Sequence, residues 1–300
     1  MRFPHMILML TITIIWGLNF IAAKFSVMEL PALFSVALRF LVAFLFLFPF
    51  LSLKGVAFKP LLLAALVLGA GHFGLLYYAI AITDNVSSVV VATLTSVPFA
   101  MLLAVVFLGE TIHWRRTLGM VLSFAGVGFL AFDPVVFQYV DALLLGVLAA
   151  FFFAIGAVLM RQLKGVSAFK LQAWVALVSF PILFLLSAMF EGAEHWTTIT
   201  SVSWKAIGGI LFGAIAATII GHGGIYYLLQ RYPISVVSPP TLLAQVFAVL
   251  ASVIFLGEEL TVRVTIGALM TLAGAGIIVL RKPSLPLNEA SVDDAGNIKM

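Results

Sequence analysis

Three basic side chains lie deep inside long apolar runs of the sequence: Arg39, His72 and His222. An arginine presents a planar fork of donors that matches a carboxylate or a phosphate, and a histidine can bind a ligand and carry a proton near neutral pH. Such groups are costly in an apolar medium, which makes each a candidate functional residue. We predict anion binding at Arg39 and proton coupling at the histidines. The alternatives are a bond from each side chain to a backbone carbonyl, or extension of Arg39 to the surface.

Five further polar or amphipathic side chains accompany these three. Trp16 and Asn19 are three residues apart in the first apolar run, Tyr77 and Tyr226 each follow a histidine, and Gln245 lies in the ninth run. Tyr226 is four residues beyond its histidine and so shares one helix face with it. Asn19 could serve a neighbouring helix as well as a ligand. The predicted substrate site has eight members: Trp16, Asn19, Arg39, His72, Tyr77, His222, Tyr226 and Gln245.

The elements that position these residues are predicted to be membrane-spanning helices. Of the 300 residues, 63% are hydrophobic and 9% are charged, which excludes an ordinary soluble domain because soluble proteins need polar side chains to cover their surface. At about 20 residues per crossing, the apolar runs predict ten helices and leave no room for a sizeable soluble domain. Their approximate bounds are 5–23, 31–51, 60–82, 87–108, 117–134, 141–160, 169–190, 204–229, 235–256 and 264–280.

The basic residues orient this array. With Arg39 set aside, twelve Lys and Arg residues fall on one side of the predicted membrane and three on the other. Basic residues are concentrated in cytoplasmic loops, so both termini are predicted to be cytoplasmic. Residues 283–300 are polar and lack aromatic side chains, which predicts a disordered cytoplasmic tail.

The chain contains an internal duplication. Residues 87–128 align without gaps with residues 235–276 at an offset of 148, and the tripeptide Leu-Gly-Glu recurs, ending in Glu110 and Glu258. Each glutamate follows a glycine at a helix end, which is typical of a structural cap. Because five helices is an odd number, the second repeat must enter the membrane from the opposite side, and such inverted repeats recur in secondary transporters. The predicted organisation is a first repeat at 1–135, a second repeat at 141–282 and the tail at 283–300.

Short motifs occur in an order that is typical of one known family. They are Trp-Gly-Leu-Asn-Phe at 16–20, Leu-Arg-Phe at 38–40, the two Leu-Gly-Glu tripeptides, and Tyr-Pro-x-x-x-Val-Ser-Pro at 232–239. In these motifs the chain resembles the EamA-type proteins of the drug/metabolite transporter superfamily, from residue 1 to about residue 282. The resemblance implies ten helices around a central cavity and export of small polar metabolites. It is nearest to bacterial amino-acid-metabolite exporters of the O-acetylserine/cysteine type.

Taken together, the residues and the resemblance predict an all-α membrane protein with ten transmembrane helices, arranged as two inverted five-helix repeats around a central cavity. We expect a secondary transporter of the bacterial inner membrane that exports amino acids or their derivatives by alternating access. The alternatives are an exporter or facilitator for a nucleotide-sugar, a nucleoside or a drug, and a passive channel. An enzyme is not expected, because the sequence has neither a Gly-x-Ser-x-Gly motif nor an aspartate pair within a span.

The expected partners are a small-molecule substrate and the lipid bilayer, with proton coupling left open. Neither a cofactor, a metal nor nucleic acid is expected. The chain could act as a monomer or as a homodimer.

Overall fold

The computed structural model describes residues 1–52, 57–109, 114–163, 166–259 and 261–279, and within them the regular structure is helical throughout. Glu110 and the tail predicted at 283–300 lie outside the described residues. The long helices are α1 (Phe3–Val27), α2 (Ala32–Leu47), α3 (Phe58–Ala81), α4 (Val86–Leu108), α5 (Trp114–Ala131), α6 (Val140–Gln162), α7 (Ala168–Ser187), α8 (Trp204–Leu229), α9 (Leu242–Leu256) and α10 (Val262–Val279).

Seven of the helices in the described residues are long and apolar enough to cross a membrane, namely α1–α4 and α6–α8. α5, α9 and α10 are apolar over shorter stretches. Large apolar side chains such as Val106, Leu144 and Ile254 are exposed on the outside of the helices, and lipid is the medium that accommodates such a surface. The chain is therefore a multi-pass membrane protein. The count of ten spans stays a prediction.

The main helix contacts join the two halves of the chain. α1 packs against α8 and α9, and α6 packs against α3 and α4. These two sets are equivalent, because exchanging each helix for its counterpart in the other half (α1 for α6, α8 for α3, α9 for α4) turns one set into the other. α2 packs against α7, and α5 against α10, so these pairs are their own equivalents. The buried core therefore lies mostly between the repeats.

α3 and α8 share an irregularity at equivalent places. Each contains a stretch of wide, π-helical turns, at Leu66–Phe73 in α3 and at Gly213–His222 in α8. In such turns the backbone N–H bonds to the carbonyl five residues back instead of four, and they are frequent at functional sites. Each stretch contains the histidine of its repeat, at its last residue or next to it.

The repeated Leu-Gly-Glu tripeptide ends a helix in each half. Gly109 after α4 and Gly257 after α9 both adopt a left-handed conformation, with φ of +64° and +71°, which glycine reaches without strain. Glu258 then binds the other half. Its carboxylate accepts hydrogen bonds from the N–H of Val86 (2.6 Å) and from the N–H and hydroxyl of Ser87 at the start of α4. The first N–H groups of a helix lack partners within the helix, so Glu258 caps α4 from the opposite half.

Two more carboxylates bind helix starts of the opposite half at the same end of the molecule. Glu191 accepts hydrogen bonds from the N–H groups of Leu33 (2.8 Å) and Phe34 (3.2 Å) at the start of α2. Glu29 accepts bonds from the hydroxyl and the N–H of Ser203, just before α8. The bonds from Ser203 lower the pKa of Glu29. Together with Glu258, three carboxylates join the two halves at this end.

Two basic residues bind helix ends at opposite ends of the molecule. Lys24, near the end of α1, donates to the carbonyl oxygen of Thr83 (2.6 Å), just beyond α3. Arg161, near the end of α6, donates to the carbonyl oxygen of Leu229 (2.9 Å), the last residue of α8. A cation stabilises the C-terminal end of a helix, where carbonyl groups lack partners. The first helix of each half therefore makes the same kind of contact with the end of the third helix of its own half, once at each end of the molecule.

Candidate functional site

A cavity of about 60 Å³ lies between the two halves and is lined by residues of α1, α3, α4, α6, α8 and α9. By this measure it holds about four to six water molecules. The cavity brings together five of the eight residues predicted for the substrate site. They are Trp16, Asn19, His72, His222 and Gln245. The other three, Arg39, Tyr77 and Tyr226, do not line it.

Several polar atoms on the cavity wall have no hydrogen-bond partner among the described residues. They are Trp16 Nε1, Asn19 Oδ1 and both ring nitrogens of His222. The indole nitrogen can only donate, the amide oxygen can only accept, and a neutral histidine does one of each. Because an unpaired buried polar atom costs about 1–3 kcal/mol, such atoms are uncommon in folded proteins. The wall therefore offers unused donors and acceptors to a small polar molecule.

Trp16 reaches the cavity because α8 has a glycine beside it. A Cβ atom on Gly221 would lie 2.5 Å from Trp16 Nε1, which is too close for any other residue without a shift of the indole. The indole then packs edge to face with the neighbouring His222, at 4.7 Å between ring centroids. The other half repeats this contact, since a Cβ on Gly71 of α3 would lie 2.5 Å from the ring of Phe152 of α6. The repeated Gly-His pair thus admits an aromatic ring from the other half.

His72 and His222 occupy equivalent positions but have different partners. Nδ1 of His72 lies 2.9 Å from the carbonyl oxygen of Ala149. A carbonyl can only accept, so Nδ1 carries the hydrogen, and Nε2 is the acceptor of the neutral ring. The structural bond considered as an alternative for both histidines is thus present at His72, while His222 has no such bond among the described residues.

Arg39 is fully buried behind the cavity wall. Its Nε donates to Thr218 Oγ1 and its Nη1 donates to Tyr77 Oη, both at 3.0 Å. The guanidinium carbon lies 4.4 Å from the ring centroid of Phe73, and Phe73 itself lines the cavity. Nη2 has no partner among the described residues. The side chain therefore does not extend to the surface, and Tyr77 orients it. Substrate contact by Arg39 or Tyr77 stays a prediction.

Tyr226 is also buried away from the cavity. Its hydroxyl donates to the carbonyl oxygen of Leu163 at 2.8 Å, just after α6. Sharing a helix face with its histidine does not bring it to the cavity, because the residue lies one turn nearer the end of α8. Its predicted contact with substrate stays a prediction.

The cavity wall also contains residues that were not among the eight predicted. Polar examples are Thr93, Ser96 and Thr241, and aromatic examples are Phe73 and Phe153. One signal was present for the threonines, since Thr93 and Thr241 are identical residues at the repeat offset of 148. The phenylalanines gave no such signal. Among the described residues, no three His, Asp or Glu side chains come together as a metal ion would require.

Gln245 links α9 to α4 at this wall. Its amide nitrogen is placed to donate to the carbonyl oxygen of Thr241 at 2.8 Å. In that orientation the amide oxygen lies 3.4 Å from Thr93 Oγ1. The two equivalent threonines therefore lie on either side of one glutamine.

Comparison with known proteins gives the same assignment over nearly the whole chain. The EamA-like transporter family matches twice, at residues 4–132 and 141–280. A protein of Salmonella typhimurium named "Probable amino-acid metabolite efflux pump" is 30% identical over 280 residues, covering 91% of this chain and 93% of that protein. A protein of Escherichia coli with the same name is 28% identical, covering 91% and 94%.

A crystal structure with 17% sequence identity superimposes with a TM-score of 0.68 over 93% of this chain and 98% of the other, which shows a shared fold. The family match covers both halves, and the relative from Salmonella covers the chain almost from end to end. These findings confirm the resemblance seen in the short motifs. The chain belongs to the EamA-like transporter family.

Proposed function

We propose that the chain exports small amino-acid metabolites by alternating access, with its binding site at the cavity between the halves. The observation that carries this proposal is the set of unpaired donors and acceptors on the cavity wall: Trp16 Nε1, Asn19 Oδ1 and the nitrogens of His222. A molecule that pairs them recovers the cost of burying them, about 1–3 kcal/mol for each atom. The eight predicted residues form the proposed site, with Arg39 and Tyr77 behind the cavity wall and Tyr226 one turn nearer the end of α8 than His222.

The chemistry of these atoms suits a zwitterion. Asn19 Oδ1 can accept a hydrogen bond from an ammonium group, and Trp16 Nε1 can donate one to a carboxylate. His222 can supply either kind of bond. An amino acid carries both groups on one carbon atom, within the span of a small cavity. The printed names of the relatives from Salmonella typhimurium and Escherichia coli favour the same substrate class.

Alternating access follows from an inverted ten-helix architecture, which we include in the proposal. The contacts of α1 with α8 and α9 and of α6 with α3 and α4 are equivalent under an exchange of repeats, and the Lys24 and Arg161 contacts lie at opposite ends. When two halves can exchange their shapes, a site open to one side becomes a site open to the other. The distribution of basic residues predicts cytoplasmic termini, so export runs away from the end that carries them.

Counterflow in proteoliposomes tests this function. The panel consists of amino acids, a nucleoside and a nucleotide-sugar, each tested separately. Vesicles are loaded with the unlabelled compound, and uptake of the same labelled compound is measured. We expect uptake in vesicles loaded with an amino acid. Asn19→Ala should raise the half-saturating substrate concentration about 10- to 100-fold, because a hydrogen bond to a charged ligand is lost. Thr11→Ala on the same helix is the matched control, since Thr11 is exposed and bonds only its own helix at the carbonyl of Ile7.

Each outcome of this assay decides an alternative. Uptake that rises with an imposed pH gradient supports proton coupling through the histidines, and equal uptake without a gradient supports a facilitator. Uptake without counterflow supports a passive channel, because a channel does not exchange one bound substrate for another. Counterflow of the nucleoside or nucleotide-sugar alone would refute the amino-acid assignment.

A further inference from the structure

The Phe73 ring lies at the boundary between Arg39 and two cavities. The second cavity is small, about 10 Å³, and lies toward the end of the molecule where α6 ends and α7 begins, next to Met160 and Gln172. Gln172 Oε1 is buried without a hydrogen-bond partner among the described residues. Three residues line both cavities, and we call them the aromatic partition: Phe73, Phe153 and His222.

The rings of the partition pack on one another. The ring centroids of Phe73 and His222 are 4.9 Å apart, and those of Phe153 and His222 are 6.3 Å apart. Phe73 is only 2% exposed. A solute larger than water therefore passes between the two cavities only if at least one of these rings moves.

Arg39 gives the Phe73 ring a second contact. The guanidinium is held by two hydroxyl groups and by this ring, all of them uncharged, and Nη2 remains unpaired among the described residues. A cation over an aromatic face is attracted to the ring, but a carboxylate binds a guanidinium through short, charge-assisted hydrogen bonds. A carboxylate in the cavity between the halves is thus a better partner for Arg39 than the Phe73 ring that now covers the guanidinium.

We propose that Phe73 is a specificity-determining residue: a carboxylate displaces its ring from Arg39, and the same movement opens the aromatic partition between the two cavities. A neutral solute has no charge to offer Arg39 and leaves the partition closed. Selection of anionic or zwitterionic substrates and opening of the path are then one event. This inference rests on the proposed function, because it assumes that the cavities belong to a transport path.

A single introduced thiol tests the inference without any transport measurement. The chain has no cysteine, so Gln172→Cys places the only thiol beyond the partition. The purified protein in detergent micelles is treated with the neutral reagent methyl methanethiosulfonate, and the rate of modification is followed by mass spectrometry. We expect acetate to accelerate modification severalfold and acetamide, a neutral molecule of nearly the same shape, to have no effect.

Variants of the partition and of Arg39 separate the two contacts of Phe73. Phe73→Ala should raise the rate without acetate and abolish the response to acetate. Phe73→Leu keeps an apolar side chain but removes the aromatic face, and should lower the half-effective acetate concentration about 2- to 30-fold. Phe153→Ala is the matched control: its basal rate should rise, but acetate should raise it further, because Arg39 remains covered.

Arg39→Met supplies the decisive result, since it should leave the rate slow and unresponsive to acetate. An acetate response that survives in Arg39→Met, or an equal response to acetamide, would overturn the inference. So would a Phe73→Leu variant, monodisperse in gel filtration, whose acetate dependence matches that of the parent. Loss of amino-acid counterflow with an intact acetate response would instead refute the proposed substrate and leave the role of Phe73 standing.

Discussion

Replacing Arg39 by methionine should separate stability from transport. Arg39 is fully buried, and its contacts are Thr218 Oγ1, Tyr77 Oη and the Phe73 ring. Two hydrogen bonds from a charged group contribute about 1.5–3 kcal/mol each, and a desolvated cation–π contact about 2 kcal/mol. These gains, about 5–8 kcal/mol, are similar in size to the cost of burying an ion, which is several kcal/mol. The net contribution of Arg39 to folding is therefore small.

Methionine fills a similar volume without a charge. Replacing buried ionic groups by apolar ones is often neutral or stabilising by 1–4 kcal/mol, so we expect the free energy of unfolding of Arg39→Met to be unchanged or higher by up to about 4 kcal/mol. Export of carboxylate substrates should be lost. Denaturant unfolding in micelles and counterflow in proteoliposomes measure the two quantities on one preparation.

The double variant Arg39→Met, Tyr77→Phe provides the control. In the single variant the Tyr77 hydroxyl loses its partner, at a cost of about 1–3 kcal/mol, and removing that hydroxyl should restore this amount. A fall in stability of more than about 2 kcal/mol in Arg39→Met, not recovered in the double variant, would refute the reasoning and make Arg39 a structural residue. Full transport activity in a stable Arg39→Met protein would refute the functional half.

Two further predictions concern the halves and their contacts. The bonds from Ser203 lower the pKa of Glu29 below its ordinary value of 4.5, so the stabilisation of the fold by ionised Glu29 is present above pH 4.5 and is lost as the pH falls through the lowered pKa. The melting temperature of Glu29→Gln should therefore lie below that of the parent at pH 7 and approach it in acid. A difference in melting temperature that does not change with pH would contradict this. Gly221→Ala should displace Trp16, since the added Cβ would lie 2.5 Å from its Nε1, and should raise the half-saturating substrate concentration in counterflow about tenfold or more. Gly208→Ala on the same helix, where a Cβ meets nothing within 4 Å, should leave transport unchanged. Equal effects of the two substitutions would refute the contact between Gly221 and Trp16.

The sequence predicts the architecture well because hydropathy and duplication act over long stretches. Apolar runs locate the helices, and the recurrence of Leu-Gly-Glu locates equivalent helix ends, where Gly109 and Gly257 share a left-handed conformation. Glu258 was expected at a cap, but the helix that it caps belongs to the other half. A sequence pattern shows that a residue ends a helix, and it cannot show which distant helix starts beside it.

The site is predicted less completely, because depth in an apolar run does not determine which way a side chain faces. His222 lines the cavity, whereas Tyr226, one regular turn further along α8, binds the carbonyl oxygen of Leu163 just after α6. Phe73 is one of 27 phenylalanines, and nothing in its type or spacing distinguishes it. Its importance comes from lying between a guanidinium and a cavity, which only three-dimensional packing creates.

The packing of one half against the other has a consequence for biosynthesis. Thr218 follows Arg39 by 179 residues, and at 5–20 residues per second the ribosome needs about 10–35 s to make the intervening chain. During that time the first repeat sits in the bilayer without the helices that α1, α2 and α5 will contact. Until Thr218 has been made, the inserted first half must therefore hold the guanidinium of Arg39 with Tyr77 and Phe73 alone.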